Sequence, residues 1–443
     1  MSMIIGTILV FAFVFGILVF VHEFGHFFMA KLVGIRVEVF SWGYGKRLLG
    51  IKKGETDYRI SIIPLGGFVK FSGEEALDQK KAPDERDFMA KKRWERFLVL
   101  VMGSVMNVFL AVGLMSVINM VGVSSAVYLD EKPVIGWIEP GSPAEKAQLR
   151  VGDEILRINR RATNTWSDVE LEVGTKPKRL VRVQVRRGGE VLTVGLRTES
   201  KSRYEMGYAG FAAFIRTQVM MVEPGSPAEK AGFQPGDIIH EINGTPVHFY
   251  EFTKVIQEHP EEELDVKVRR GDAFVLLKVT PRRRDDVGMI GVATQMESTT
   301  RTYGFFAAIG QSVRENARLA FLVVNFVKDL LTGEASARQL GGPIEIASFS
   351  YTAFRMGLVT LMWWIAFISL QLGVINLFPI PMFDGGHILV LGLEGLFRRD
   401  FSPRVKQIVM QIGFVLIIIL FTFIILNDVV KRLPNGWESL VPW

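Results

Sequence analysis

Four long stretches without a charge constrain this chain of 443 residues more than any other feature. Residues 1–21 are uncharged, and after His22, Glu23 and His26 the apolar character resumes through Ala30. Residues 97–129, 356–383 and 407–427 are uncharged for 33, 28 and 21 positions. A helix crosses the hydrocarbon core of a bilayer with about 20 apolar residues, and it can do so because it satisfies its own backbone hydrogen bonds. Four such runs predict a polytopic α-helical membrane protein with four spans. The first run has no basic n-region and no small-residue cleavage site, so it is expected to persist as a span.

Composition adds exclusions. With no Cys, the chain cannot build a disulfide scaffold, a cysteine-ligated cluster or a cysteine nucleophile. The net charge of +6 comes from basic residues that flank the spans or alternate with acidic ones, which argues for a membrane surface and against nucleic acid. Residues 31–96 hold 15 Lys and Arg against 10 Asp and Glu, and a second short loop carries Arg398, Arg399, Arg404 and Lys406. The excess of basic residues places both loops in the cytoplasm. Both termini and the long middle region are then expected to lie outside, in a multi-pass membrane protein.

The middle region contains a repeat. Residues 139–159 read EPGSPAEKAQLRVGDEILRIN and residues 223–243 read EPGSPAEKAGFQPGDIIHEIN, at a constant offset of 84. Ser142 and Ser226 are placed as helix N-caps, each followed by Pro and, three positions after the cap, by Glu. Alternating strands are expected to complete each unit. Gln148 and Arg160 stand in the first copy where the second has Gly232 and Gly244, so the second has the better turns.

The chemical signal is His22-Glu23-Phe24-Gly25-His26. On a helix, residues four apart share a face, so both imidazoles can bind one Zn²⁺ with Glu23 adjacent to take a proton from bound water. Three ionisable residues within an apolar span are costly unless paired or ligated. Zinc requires a third protein ligand and an open position. Asp384 is the favoured candidate, since it follows a helix break at Pro379 and Pro381 in the third apolar run. His387 is the competing ligand.

These residues resemble the site-2 protease family of intramembrane zinc metalloproteases, in its bacterial branch with two tandem PDZ domains outside the membrane. HEFGH matches the first family motif. Asn376, Pro379, Pro381, Asp384 and Gly385 match the second, which implies His22, His26 and Asp384 as metal ligands, Glu23 as the catalytic residue and Asn376 as a substrate-positioning side chain. In the second span the family's G-P-x-x-N reads Gly103-Ser104-Val105-Met106-Asn107. The resemblance implies two small β-rich PDZ domains that capture peptide C-termini, and a re-entrant β-hairpin in residues 36–71. Within it, residues 41–45 and 64–68 look like turns and residues 58–63 like a strand.

The expected organisation is a first span with the HEFGH motif (1–30), a cytoplasmic loop with the hairpin (31–96), a second span (97–123) and two PDZ domains (124–207 and 208–292). An amphipathic helical segment at the outer membrane surface (293–354), a third span with the Asp ligand and helix break (355–393), a cytoplasmic loop (394–406), a fourth span (407–428) and an external tail (429–443) follow. The implied activity is zinc endopeptidase cleavage of single-span membrane proteins within the lipid bilayer. Anti-sigma-factor-like substrates, cut outside beforehand, and remnant signal peptides are the expected targets. A catalytically inactive membrane-anchored PDZ adaptor is the reading from a different class, and it requires Glu23 to be dispensable.

Overall fold

The computed structural model describes residues 2–73, 84–200, 205–284 and 286–433. The chain forms two compact units. Helix α1 (Ser2–Leu32), strands β1 (Val37–Lys53) and β2 (Thr56–Phe71) and helix α2 (Arg93–Val121) open the first unit. The second unit is inserted after α2 and contains the short helices α3 (Pro143–Lys146), α4 (Trp166–Gly174), α5 (Pro227–Ala231) and α6 (Phe249–Gln257). The first unit resumes with α7 (Phe305–Leu331), α8 (Pro343–Met356), α9 (Leu358–Asn376), α10 (Asp384–Leu396) and α11 (Pro403–Val430).

Four helices of the first unit are long and apolar enough to cross a membrane: Met3–Leu32, Arg93–Val121, Leu358–Asn376 and Arg404–Val430. The expected helix break separates α9 from α10, where Pro379 and Pro381 withdraw backbone donors. Near the C-terminal end of α2, Asn119 donates to Ser312 of α7, and Leu319 and Ala320 pack on a cluster around Ala111, Met115 and Ile118 of α2. Helix α7 thus runs back along α2. The amphipathic helix expected within residues 293–354 is therefore α7, packed on α2. That segment also begins with strands, Val292–Met296 and Ser298–Arg301, before α7 starts.

The hairpin departs from its expected turns. Residues 41–45 and 64–68 lie within β1 and β2, where Gly43, Gly45 and Gly66 take φ of +94°, +90° and +109° as bulges. The reversal is at Gly54, with φ +62°. Each strand then folds over. Trp42 pairs with both Ile60 and Gly67, and Leu49 pairs with Ile60. The hairpin therefore makes four short strand segments, joined by three ladders in the order 49–53, 56–61, 37–42 and 67–71.

In the second unit each repeat has its own core. One gathers Ile135, Ile155, Trp166, Val183 and Ile215; the other gathers Val219, Ile239, Phe252, Val266 and Ile290. Ser142 and Ser226 cap α3 and α5 by accepting from the backbone N–H of Glu145 and Glu229 at 3.3 and 3.2 Å. Gln148 holds φ +58° where Gly232 holds +83°, so the first copy places a side chain in a conformation that favours glycine. Because Ala209, Ala213 and Ile215 close the first core, the repeats divide near residue 216, a correction to the expected boundary at 207. Residues 123–126 pair with 298–301, tying the start of this unit to its end.

Candidate metal centre

Helix α1 carries His22, Glu23 and His26, and α2 crosses it where neither helix has room for side chains. A Cβ on Gly25 would lie 2.4 Å from the carbonyl oxygen of Met102. A Cβ on Gly103 would lie 2.3 Å from His26 Nε2. The third element arrives through the break. A Cβ on Gly385 or Gly386 would sit 2.3 Å from carbonyl oxygens of Leu377 or Ile380, so only glycine lets the 377–383 turn fold onto the start of α10. That fold delivers Asp384.

The three side chains meet. His22 Nε2 is 3.1 Å from Asp384 Oδ2, His26 Nε2 is 3.5 Å from Asp384 Oδ1, and the two Nε2 atoms are 3.2 Å apart. One ligand atom from each of His22, His26 and Asp384 lies within 4.8 Å of the others. Asn376 Nδ2 comes within 3.5 Å of His22 Nε2, so the end of α9 reaches the same point. Ser104 Oγ lies 3.5 Å from Asp384 Oδ2. His387 lines the same cavity but is not one of the three clustered residues.

The donor set fits zinc. His26 Nδ1 lies 2.8 Å from the Val99 carbonyl oxygen, which can only accept, so Nδ1 bears the proton and Nε2 presents a lone pair. The Asn107 amide lies beside His22 Nδ1 at 3.3 Å, and its buried Oδ1 has no hydrogen-bond partner. With the amide turned over, Oδ1 accepts from Nδ1–H, which satisfies the oxygen and frees His22 Nε2 as a lone pair. Two imidazole lone pairs and a carboxylate then converge, an arrangement that a cation of tetrahedral preference relieves.

The cluster opens on a cavity of about 970 Å³, lined by Glu23, Val69, Phe71, Asn376 and His387 among others. Glu23 lies on the face toward the hairpin: a Cβ on Gly67 would be 3.5 Å from its Cγ. Away from the cluster the cavity reaches Arg96, Glu394, Asp400 and Lys406. The hydrogen bond from Arg93 holds the Asp400 carboxyl below the usual range.

A model of peptidase family M50 matches residues 10–420. The chain belongs to peptidase family M50. Over 97% of its length, this M50 chain is 32% identical to a putative zinc metalloprotease of Vibrio cholerae, covering 99% of that protein. It is 30% identical to the regulator of sigma-E protease RseP of Escherichia coli K12, over 93% of this chain and 96% of that one. A putative zinc metalloprotease of Neisseria meningitidis is 28% identical over 96% of this chain. With its apolar helices, this M50 protein is a membrane-embedded zinc metalloprotease. The family resemblance and the expectation of zinc therefore hold.

Sequence reasoning identified the residues the structure brings together, but not what orients them. The Val99 carbonyl has no sequence signature. Gly103 and Asn107 did have one, as an intramembrane Gly-x-x-x-Asn whose spacing puts both on one face of α2.

Proposed function

We propose that His22, His26 and Asp384 hold the zinc, that Glu23 is the general base and acid, and that Asn376 positions the substrate. The observation that carries this reading is the convergence of the three ligand atoms within 4.8 Å at the wall of a cavity that Glu23 also lines. Zinc bound there would polarise the scissile carbonyl and lower the pKa of its water to about 7. Glu23, one residue from His22, takes the water's proton and returns it to the departing amine. Asn376, at the broken end of α9, donates to the substrate backbone.

A transmembrane helix resists hydrolysis because its carbonyls are already bonded, so it must unwind first. The 67–71 segment of the hairpin is suited to hold the unwound substrate. It pairs with 37–42 on one side and contributes Val69 and Phe71 to the cavity. A substrate added there as a further strand satisfies its backbone beside Glu23. The hairpin exposes Trp42, Leu49, Ile51, Ile60 and Ile62, which favours its re-entry into the bilayer.

Substrates in this reading are single-span proteins, anti-sigma-factor-like, trimmed outside before the intramembrane cut, together with remnant signal peptides. The protein sits in a bacterial inner membrane with both termini and the two PDZ-like modules outside, where the modules take peptide C-termini. Metal analysis of purified variants tests the ligand set. Asp384→Asn should lose zinc and cleavage, and His387→Ala should keep both; the opposite pattern overturns the assignment.

A further inference from the structure

The far end of the cavity holds a buried cation whose donors are not matched by acceptors. Glu394, only 1% exposed, is engaged elsewhere: its Oε1 accepts from Lys406 Nζ at 2.7 Å and from the Phe401 backbone N–H at 2.9 Å. Asp400 accepts from Arg93 at 2.8 Å. Arg96 differs. It is 4% exposed and lines the cavity. Its Nη1 meets Met89 Sδ at 3.6 Å, its Nη2 lies 3.9 Å from Asp400 Oδ1, and its buried Nε has no partner. A guanidinium carries five donors, and a buried charge so poorly matched is costly unless a ligand completes it.

The position of Arg96 connects it to the reaction. Arg96 precedes Gly103 by seven residues on α2, so both lie on one face, roughly 10 Å apart along the axis. Gly103 touches the ring of His26, and Arg96 is further along the same cavity wall. Hydrolysis breaks the peptide C–N bond, and the acyl carbon gains the oxygen of water. One product therefore carries a new carboxylate, ionised at neutral pH, that was not present in the substrate.

We propose that Arg96 is a carboxylate-binding site on the release path, which receives the new C-terminus of the product as it leaves the metal centre. This inference rests on the proteolytic reading above. The ligand is a peptide carboxylate, and the geometry suits bidentate capture, with Asp400 as the group that the carboxylate displaces from the Arg96 fork. The retained fragment is then the one N-terminal to the cut.

The test is a binding measurement on full-length, zinc-loaded protein in detergent. The probes are a dye-labelled, N-acetylated hexapeptide of Leu and Ala with a free C-terminal carboxylate, and the same peptide as its carboxamide. Wild type should favour the carboxylate. Arg96→Gln should reduce that preference about tenfold, the size of one charge-assisted bond, with one zinc per chain retained. Arg96→Lys should keep part of it. Asp400→Asn should tighten the carboxylate peptide, because the competing carboxylate is gone. The proposal is overturned if Arg96→Gln leaves the preference intact, which assigns it to the metal alone. It is equally overturned if that variant weakens both peptides alike, if Asp400→Asn weakens the carboxylate peptide, or if phosphatidylglycerol displaces a probe that excess carboxylate peptide does not. Failure of the metal assignment would appear separately, as absent zinc in wild type.

Discussion

Replacing Gly103 by Ala adds one methyl group at the point where α2 presses on the metal ligands. The new Cβ would stand 2.3 Å from His26 Nε2, 2.6 Å from its Cε1 and 2.9 Å from His22 Cε1. Ordinary contact begins at 3.4 Å, so the His26 ring must retreat by about 1 Å. Zn–N bonds are about 2.0–2.1 Å and tolerate deviations of only about 0.2 Å. The ring is also anchored behind by its bond to the Val99 carbonyl at 2.8 Å, and α2 itself is held against α1 at Gly25. His26 therefore leaves the coordination shell, and zinc affinity should fall by about 100-fold or more, the upper end for loss of ligand orientation. The helix should not suffer, since Gly→Ala within a helix is favourable by roughly 1 kcal/mol. Gly113→Ala is the matched control, because a Cβ there meets nothing within 4 Å. Zinc competition against a chelator measures the affinity, and circular dichroism measures helix content. Wild-type zinc affinity in Gly103→Ala, with helix content unchanged, would refute the reasoning.

Three further outcomes are expected. Burial pushes the His248 pKa down, against a smaller opposing effect of its bond to the Ala213 carbonyl, so the folded state favours neutral His248 and its stability should fall as pH drops below about 6.5. Amide protection across α6, taken relative to the intrinsic exchange rate at each pH, should fall at pH 5.5, and His248→Gln should remove part of that effect, the remainder belonging to His240, which burial also shifts down. Asp428 of α11 accepts from the backbone N–H groups of Gly342, Ile344 and Glu345 at 2.9–3.1 Å, so Asp428→Asn should cost about 1–3 kcal/mol and lower the melting temperature. In a chain without native Cys, Glu190→Cys should react with an impermeant thiol reagent outside intact cells and Glu85→Cys should not; the reverse pattern would invert the proposed orientation.

What could be read from the sequence was what local chemistry dictates. HEFGH announces itself because two histidines one turn apart in an uncharged run have few other uses. Asp384 was visible because a carboxylate after two prolines in an apolar run is costly without a partner. The Ser-Pro-x-Glu starts of α3 and α5 followed from capping alone. The unread parts depend on long-range packing. The crossing of α1 and α2 is set by Gly25 and Gly103, and a glycine in an apolar helix does not name its neighbour. Gly43, Gly45 and Gly66 looked like turn residues because positive φ serves a bulge and a turn equally. Residues 209–215 belong to the first core, although the repeat offset alone assigns them to the second copy. Arg96 looked like a flanking charge of the second span, and only the folded cavity shows it buried.

The central claim is that Glu23 moves the proton in a zinc-dependent hydrolysis. Glu23→Gln, purified beside wild type, should retain one zinc per chain, because Glu23 is not one of the proposed ligands. Its cleavage of a tagged single-span protein in membranes should fall by about 10²- to 10⁴-fold, the usual contribution of a positioned acid–base group. Zinc retained with cleavage abolished is the predicted result. Zinc retained with cleavage near the wild-type rate would contradict the account.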